Sequence, residues 1–520
     1  MTVYPLTDKA IVLREGDDVA VLKERLTAGA ELAWEGGQVR LSSDTPAGHK
    51  VALRVVREGY PVHKYGQIIG YASRDIAPGD WVHSHNLHNG EISLDYEFGT
   101  DLRPPRPLAP GEERTFMGFA RPDGPVGTRN FLSLVSTVNC SADTVHLIAR
   151  KLREEALADF PNVDGVVAVS HPSGCGMQID GAEYRVLQRS LAGMANHPNV
   201  AGSLLVGLGC EVNQPLSLVQ NQKLISPQSI GTSRPAPPPI LTIQERGGVR
   251  KTVEAGFQEA LKLLKLVNEA RRTPQPVSAL IVGSNCGGSD GNSGITANPA
   301  LGITGDEFVR HGAAWLIGET TETYGAEHLL TRRAVSREVG EKLVALMRWW
   351  ERYTAMHGAS IDNNPSPGNK AGGLTTIMEK SLGAATKSGT SPMVAVYDYA
   401  EKITHRGFCF MDTPGQDAAS VTGLVAGGCN LFVFTTGRGS CLGFKPTPVL
   451  KVATNSPLYA RMEEDMDIDA GVILNGVPVA DVGLQIFNAL IGVASGMRTK
   501  SEAQGLGDNT FAPWALGPTL

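Results

Sequence analysis

No stretch of this chain approaches the ~18 consecutive apolar residues that a membrane-spanning helix needs. Neither sign of charge dominates: 47 Lys and Arg stand against 53 Asp and Glu, a formal net charge of −6. So mild an acidity suits neither nucleic acid nor an anionic membrane surface, and neither partner is expected. No Walker A run occurs, and no Gly-x-Gly-x-x-Gly follows a strand-like segment, which disfavours nucleotide binding. The Cys-x-x-Cys spacing of a zinc ribbon is missing. Cysteine is scarce, seven in 520 residues. An odd, small number in a long chain is not a disulfide scaffold; it points to a reducing cytoplasm, where thiols stay free for metal or redox chemistry. The opening Met1-Thr-Val-Tyr-Pro-Leu-Thr-Asp-Lys-Ala10 has no basic stretch leading into an apolar run, so no secretory leader is expected.

What is present is ordinary globular material, 42% hydrophobic and 19% charged, in a length that suggests two to four domains at roughly 150 residues each. Glycine is in excess, 60 residues against an average of about 7%, which implies many tight turns and ligand-touching loops. Residues 1–95 read as short β segments (20–22, 51–56, 67–72, 81–82) separated by turns such as Ala77-Pro-Gly-Asp80. Residues 96–115 look like a linker, with a Pro- and charge-rich core at 101–114. From residue 116 strand-length apolar runs alternate with amphipathic stretches, the pattern of βαβ units around a mostly parallel sheet. The runs are 131–138, 165–170, 203–208, 279–283, 313–317, 393–397, 424–426 and 431–435; helices are expected over 142–157, 253–270 and 339–353. The small-residue stretch at 363–373 divides one lobe, 116–360, from a second, 361–520. Residues 227–239 read as a surface loop.

Four cysteines share one context. Cys140, Cys175, Cys210 and Cys286 each follow the end of an expected strand. In an open α/β sheet those ends face the ligand crevice. A free cysteine is ordinarily a small buried apolar side chain, but such side chains belong inside strands rather than in the Gly-rich loops after them. Thiolates suit iron, an iron–sulfur cluster or zinc. His171 and Glu211 lie beside these cysteines. In His83-Ser-His-Asn86, His83 and His85 would share one face of a strand and could chelate a metal. Thr435-Thr-Gly-Arg-Gly-Ser440 is a strand running into a Gly loop, with Thr436 beside it and Arg438 able to grip a carboxylate through two parallel hydrogen bonds. Lys370 and Lys380 are further contacts for a carboxylate or hydroxyl, Ser289 and Asp290 sit in a tight Gly loop, and Glu319 and Glu322 follow a strand as bases, ligands or a charged rim.

These residues fall in long motifs that resemble the altronate/galactarate dehydratase family nearly end to end. They are Arg121-Pro-Asp-Gly-Pro-Val-Gly-Thr-Arg-Asn130, Gly207-Leu-Gly-Cys-Glu211, Cys286-Gly-Gly-Ser-Asp-Gly-Asn-Ser-Gly-Ile-Thr-Ala-Asn-Pro299, Asn364-Pro-Ser-Pro-Gly-Asn-Lys370 and Phe434-Thr-Thr-Gly-Arg-Gly439. Gly48-His-Lys50 and Tyr65-Gly-Gln-Ile-Ile-Gly70 resemble the SAF (antifreeze-like) domain of such enzymes. The resemblance implies an α/β protein: a small β-rich SAF domain followed by mostly parallel three-layer α/β lobes. It implies dehydration of a sugar acid, altronate-like first, to a 2-keto-3-deoxy acid, supported by Fe2+ or sometimes Mn2+. An iron–sulfur cluster on Cys140, Cys210 and Cys286 is the alternative to a single ion at His83 and His85. His171, Glu211, Glu319, Arg438 and Lys370 become the catalytic candidates, and Ser289, Asp290, Asn298, Thr436 and Lys380 the substrate contacts. Where the two named branches continue with Thr-Pro-Tyr-Gly, this chain has Ser440-Cys-Leu-Gly443, so a galactarate- or sulfolactate-type lyase is a second reading. A cysteine-based redox enzyme is a third, and a homo-oligomer is an open expectation.

Overall fold

The computed structural model describes residues 3–90, 94–226 and 236–516. The expected loop at 227–239 therefore falls largely outside the described residues. The N-terminal part is β-rich. Strands β1 (Val19–Leu22), β2 (Lys50–Ala52), β3 (Pro61–Lys64), β4 (Gln67–Ala72) and β5 (Trp81–Val82) are short; β2 to β5 are joined by Gly-containing segments, and a hairpin of Glu31–Trp34 and Gly37–Arg40 lies between β1 and β2. β2 pairs antiparallel with both β1 and β5. They feed two cores: Ala20, Leu22 and Val51 pack with residues of the N-terminal part alone, whereas Val62, Ile69 and Val82 pack in one cluster with Ala326, Leu382 and Ala385, far along the chain.

The second part is a four-stranded parallel sheet. β6 (Phe131–Ser136), β7 (Gly165–Val169), β8 (Val200–Gly207) and β9 (Ile240–Thr242) lie in the order β7-β6-β8-β9. β6 and β7 are buried along their whole length, which is why they read as continuous apolar runs without alternation. Helices α1 (Ala142–Glu155), α2 (Ala182–Ala195), α3 (Pro215–Gln222) and α4 (Val249–Val267) connect or flank them. In α4, Phe257, Ala260, Leu264 and Val267 recur at helical spacing and bury against Val145, Ile148 and Leu152 of α1.

The third part is a seven-stranded parallel sheet. Its strands are β10 (Ile281–Cys286), β11 (Ala314–Ile317), β12 (Met393–Tyr397), β13 (Gly407–Met411), β14 (Leu431–Thr436), β15 (Val449–Ala453) and β16 (Ile468–Asp469). The order is β12-β13-β11-β10-β14-β15-β16. Helices α5 (Ala297–Arg310), α6 (Arg337–Met356) and α9 (Val479–Ala494) contribute to the core on one face. Helix α8 (Asp417–Ala426) joins α2 in the core between the two sheets, and helix α7 (Ile377–Ala385) carries residues toward the N-terminal part. The layers are those of the expected α/β architecture.

Three expectations change. The division near residue 360 runs through this sheet, because β10 and β11 precede it and five strands follow. Residues 424–426 end helix α8 rather than forming a strand; a short buried apolar run fits either element. The stretch at 96–115 is no free spacer. Tyr96 Oη donates to Glu327 at 2.7 Å, Asp101 N donates to Arg332 O at 2.9 Å, and residues 115–118 pair antiparallel with 273–276.

Candidate active site at the strand ends of the larger sheet

β10, β11 and β14 bring Cys286, Glu319 and Arg438 to one end of the sheet, since neighbouring parallel strands end side by side and the crevice lies beyond their carboxyl ends. Cys286 is the last residue of β10. Glu319 stands two residues past β11 in a left-handed conformation, φ 63°, and Glu322 closes the following turn. Among the described residues these three alone bring three His, Cys, Asp or Glu ligand atoms within 4.8 Å of one another, and all are buried. Two lysines enter from α7 and the turn after it. Lys387 Nζ lies 2.6 Å from Glu319 Oε2 and 2.9 Å from Cys286 Sγ; Lys380 Nζ lies 2.6 Å from Glu322 Oε1 and 2.9 Å from Asn364 Oδ1. Asp417, the first residue of α8, completes the floor. A Cβ on Gly287 would stand 2.3 Å from its Oδ2, so only glycine lets the β10 loop pass.

The electrostatics follow from burial. Burial, then the Glu319 carboxylate, pushes the Cys286 thiol up to about 12, with Lys387 opposing. Burial raises Glu319 as well, against the pull of Lys387. Burial and the charges of Glu319 and Glu322 hold Asp417 up near 7. Glu319 Oε1 and Glu322 Oε2 are buried without a hydrogen-bond partner among the described residues. Two orphaned carboxylate oxygens beside a thiol fit a divalent cation, which would satisfy both and displace the thiol proton. The mixed sulfur and oxygen set suits a transition metal better than a purely oxygen-seeking ion.

The rim comes from the N-terminal part. The Gly48–Lys50 loop inserts against the Gly291 and Gly372–Gly373 turns. Lys50 and Lys64, both fully buried, converge on Glu379 of α7 at 2.8–2.9 Å. His49 Nδ1 accepts from Trp81 Nε1 at 3.2 Å, so its Nε2 donates to Ala371 O at 3.3 Å. His83 stacks on Trp81 and its buried Nδ1 has no partner. Burial first, then Lys50, holds both His49 and His83 down to about 4, so both rings are neutral near pH 7. Arg438 is exposed at this rim, its side chain beside Gly288 and Gly372, with no ion-pair partner among the described residues. Lys370 is half-buried in the same turn.

The other sequence candidates divide by what already occupies them. Asp290 accepts from Asn292 N, Ser293 Oγ, Thr454 Oγ1 and Asn455 Nδ2, which makes it the organiser of its loop. Asn298 is used at both ends, donating to Gly383 O and accepting from Thr435 Oγ1. Thr436 Oγ1 accepts from Gly439 N. Ser289 Oγ is buried, with no hydrogen-bond partner among the described residues. His83 and His85 do not share a strand face. β5 ends at Val82, the chain turns through Asn86 N donating to His83 O, and the two rings stand 6.5 Å apart. His171 and Glu211 are fully engaged inside the four-stranded domain and do not reach the cluster. Cys140 and Cys210 are exposed there, whereas Cys286 is buried against Lys387, so the three do not form one ligand set. The sequence reading missed Lys387 and Asp417. The Gln416-Asp417 start of a helix was the available signal, since Gln416 caps Ala419 N.

The chain matches three family models in order: the altronate/galactarate dehydratase SAF domain over residues 8–90, the D-galactarate dehydratase/altronate hydrolase second domain over 118–268, and the D-galactarate/altronate dehydratase C-terminal domain over 277–519. It is 35% identical to altronate dehydratase of Escherichia coli (strain K12) over 491 residues, 94% of this chain and 95% of that one. It is 37% identical to galactarate dehydratase (L-threo-forming) of the same organism over 501 residues, 95% of each. It is 32% identical to the (2R)-sulfolactate sulfo-lyase subunit beta of Chromohalobacter salexigens over 399 residues, 75% of this chain and 95% of that one.

Proposed function

The chain belongs to the altronate/galactarate dehydratase family, and on that premise we propose that it is a hydro-lyase that removes water from a sugar acid at the Cys286, Glu319, Glu322 cluster. The observation that carries this is the pair of carboxylate oxygens beside the Cys286 thiol that have no hydrogen-bond partner among the described residues. Altronate does not stand ahead of galactarate as substrate: identities of 35% and 37% do not separate them. The reading is therefore a 2,3-dihydroxy acid of the aldonate or aldarate class, with galactarate and altronate tested together.

The residues take their roles from their chemistry. Arg438, with Lys370, grips the substrate carboxylate at the rim. A neutral His83 takes the C2 proton, which is only weakly acidic beside a carboxylate. Lys380 and Lys387 balance the charge that develops on the oxygens as the C2–H bond breaks. Asp417, held near 7 and hence partly protonated at neutrality, gives its proton to the C3 hydroxyl as the C3–O bond breaks and water leaves. The enol then ketonises to the 2-keto-3-deoxy acid. A ferrous ion bound by Cys286, Glu319 and Glu322 supplies Lewis-acid stabilisation of substrate oxygens. The test is an anaerobic panel of aldonates, aldarates and sulfolactate with Fe(II), scored for 2-keto-3-deoxy acid and for sulfite. Keto acid from galactarate or altronate supports the reading; sulfite alone replaces it with the sulfo-lyase one.

A further inference from the structure

The second domain contains an interlocked polar device that the proposed reaction does not use. Three loops leave the carboxyl ends of the adjacent strands β7, β6 and β8, and buried side chains tie them together. Glu211 accepts from Thr137 Oγ1 at 2.9 Å, Leu208 N at 3.1 Å and Gly209 N at 2.6 Å. Asn213 donates through Nδ2 to Thr137 O at 2.9 Å and through its backbone N to Gly174 O at 3.0 Å. Asn139 N donates to Ser173 O at 2.9 Å. His171 Nδ1 accepts from Ser173 N at 3.2 Å, so its Nε2 donates to Ser136 O at 3.1 Å. Gly174, with φ 102°, lies so close to β6 that a Cβ there would meet Thr137 O at 2.5 Å. Burying so many polar groups is favourable only when every one is satisfied, and a satisfied network fixes what it carries.

What it carries outward is sulfur. Each of the three loops presents one cysteine, Cys140, Cys175 and Cys210, and all three are exposed. That inverts the usual behaviour of free cysteine, which Cys286, Cys409 and Cys429 follow by being buried. Two neighbours suit a ligated sulfur. Cys140 lies immediately before the N-terminus of the fourteen-residue helix α1. Gln244 Nε2 donates to Cys210 Sγ at 3.4 Å, and hydrogen bonds to sulfur are a recurrent feature of cluster sites. The loop ties bring the three cysteines to one end of the sheet, Asn139 N to Ser173 O and Asn213 N to Gly174 O. One thiol from each of three tied loops is the donor set of a polynuclear cluster, in which each of three metals takes one thiolate.

We propose that Cys140, Cys175 and Cys210 are the three protein ligands of an iron–sulfur cluster carried by the second domain, separate from the Cys286 cluster and independent of the hydro-lyase reading. Each thiol releases its proton to solvent as its sulfur binds iron, and the fourth metal corner is left to solvent or a small ligand. The test uses the full-length chain, reconstituted anaerobically with ferrous and ferric salts and sulfide. Iron and acid-labile sulfide are measured beside the visible absorption band. The expected result is a brown protein that retains labile sulfide after desalting. C140S, C175S and C210S each lose at least half of it, while C441S, which removes an exposed thiol outside these loops, keeps it. Because a serine variant could misfold, the wild type is also alkylated before and after reconstitution and mapped by peptide mass. Protection of these three cysteines and not of Cys441 supports the assignment. Absence of labile sulfide in the wild type, full retention in all three variants, or unchanged alkylation of the three thiols overturns it.

Discussion

At the residue scale the site is held by a few buried charges. Glu319→Gln keeps the shape of the side chain but removes a ligand charge and leaves Lys387 facing a neutral amide. We expect iron content to fall severalfold and turnover by at least about 10²-fold, a loss typical of removing one preorganised electrostatic contact. Iron analysis beside steady-state rates checks this, and a variant with wild-type iron and rate removes Glu319 from the site. Arg438→Lys keeps the charge but loses the planar two-point grip; KM for the acid should rise while melting temperature stays unchanged. Asp417 sets the pH behaviour. Its proton-carrying form is the active one, so kcat should have an alkaline limb where Asp417 loses its proton, and a bound dication, by neutralising the Glu319 and Glu322 charges that help raise Asp417, should move that limb to lower pH. Asp417→Asn should be slow at every pH and lack that alkaline limb; a limb that persists in this variant assigns it to another group. Several of these residues were legible beforehand. Cys286, Glu319 and Arg438 all follow strand-like runs, and the rule that crevices lie at strand ends singles them out. Lys387 was not, because its partner Cys286 is 101 positions away and only strand order brings them together. Asp290 looked like a ligand contact because a polar residue in a Gly loop reads the same whether it holds a substrate or the loop itself.

At the scale of elements, helix α7 is the hinge of the design. One side presents Glu379 to Lys50 and Lys64; the next residue, Lys380, reaches Glu322. Burial alone would raise the Glu379 carboxyl, but the two lysine charges override it and hold it well below the ordinary range. A group whose folded value is depressed contributes stability that is full above its unfolded value and is lost as pH falls through the folded one. Glu379→Gln should therefore cost about 3–5 kcal/mol near neutrality, as expected when one member of a buried ionic set is removed. The gap to wild type should shrink as the solution is acidified below pH ~4, where the unfolded carboxyl takes up its proton. Melting curves of both proteins from neutral to acid check this, and a constant gap across that range contradicts it. The parallel strands were readable as uniformly apolar runs because both faces are covered. The α8 segment was not, since an all-round apolar helix carries no period to distinguish it.

At the scale of the whole molecule, the β-rich N-terminal part is an integral roof. It lends His49 and His83 to the rim and shares a core with Ala326, Leu382 and Ala385. The sequence showed its boundary through turn-rich short strands, but not its docking, which depends on Lys50 and Lys64 being buried rather than solvated. A fragment of residues 96–520 should keep its helical signal, melt at a lower temperature and lose turnover; equal melting and turnover would make the roof dispensable. The central claim, elimination of water from a sugar acid at the strand-end cluster, is met most directly by the mass spectrum of product formed in heavy water by the ferrous-loaded protein. The account predicts a product lighter than the substrate by one water and carrying one solvent deuterium at C3, because the enol takes that atom up as it ketonises. A product that has not lost water, or one with no deuterium at C3, contradicts it.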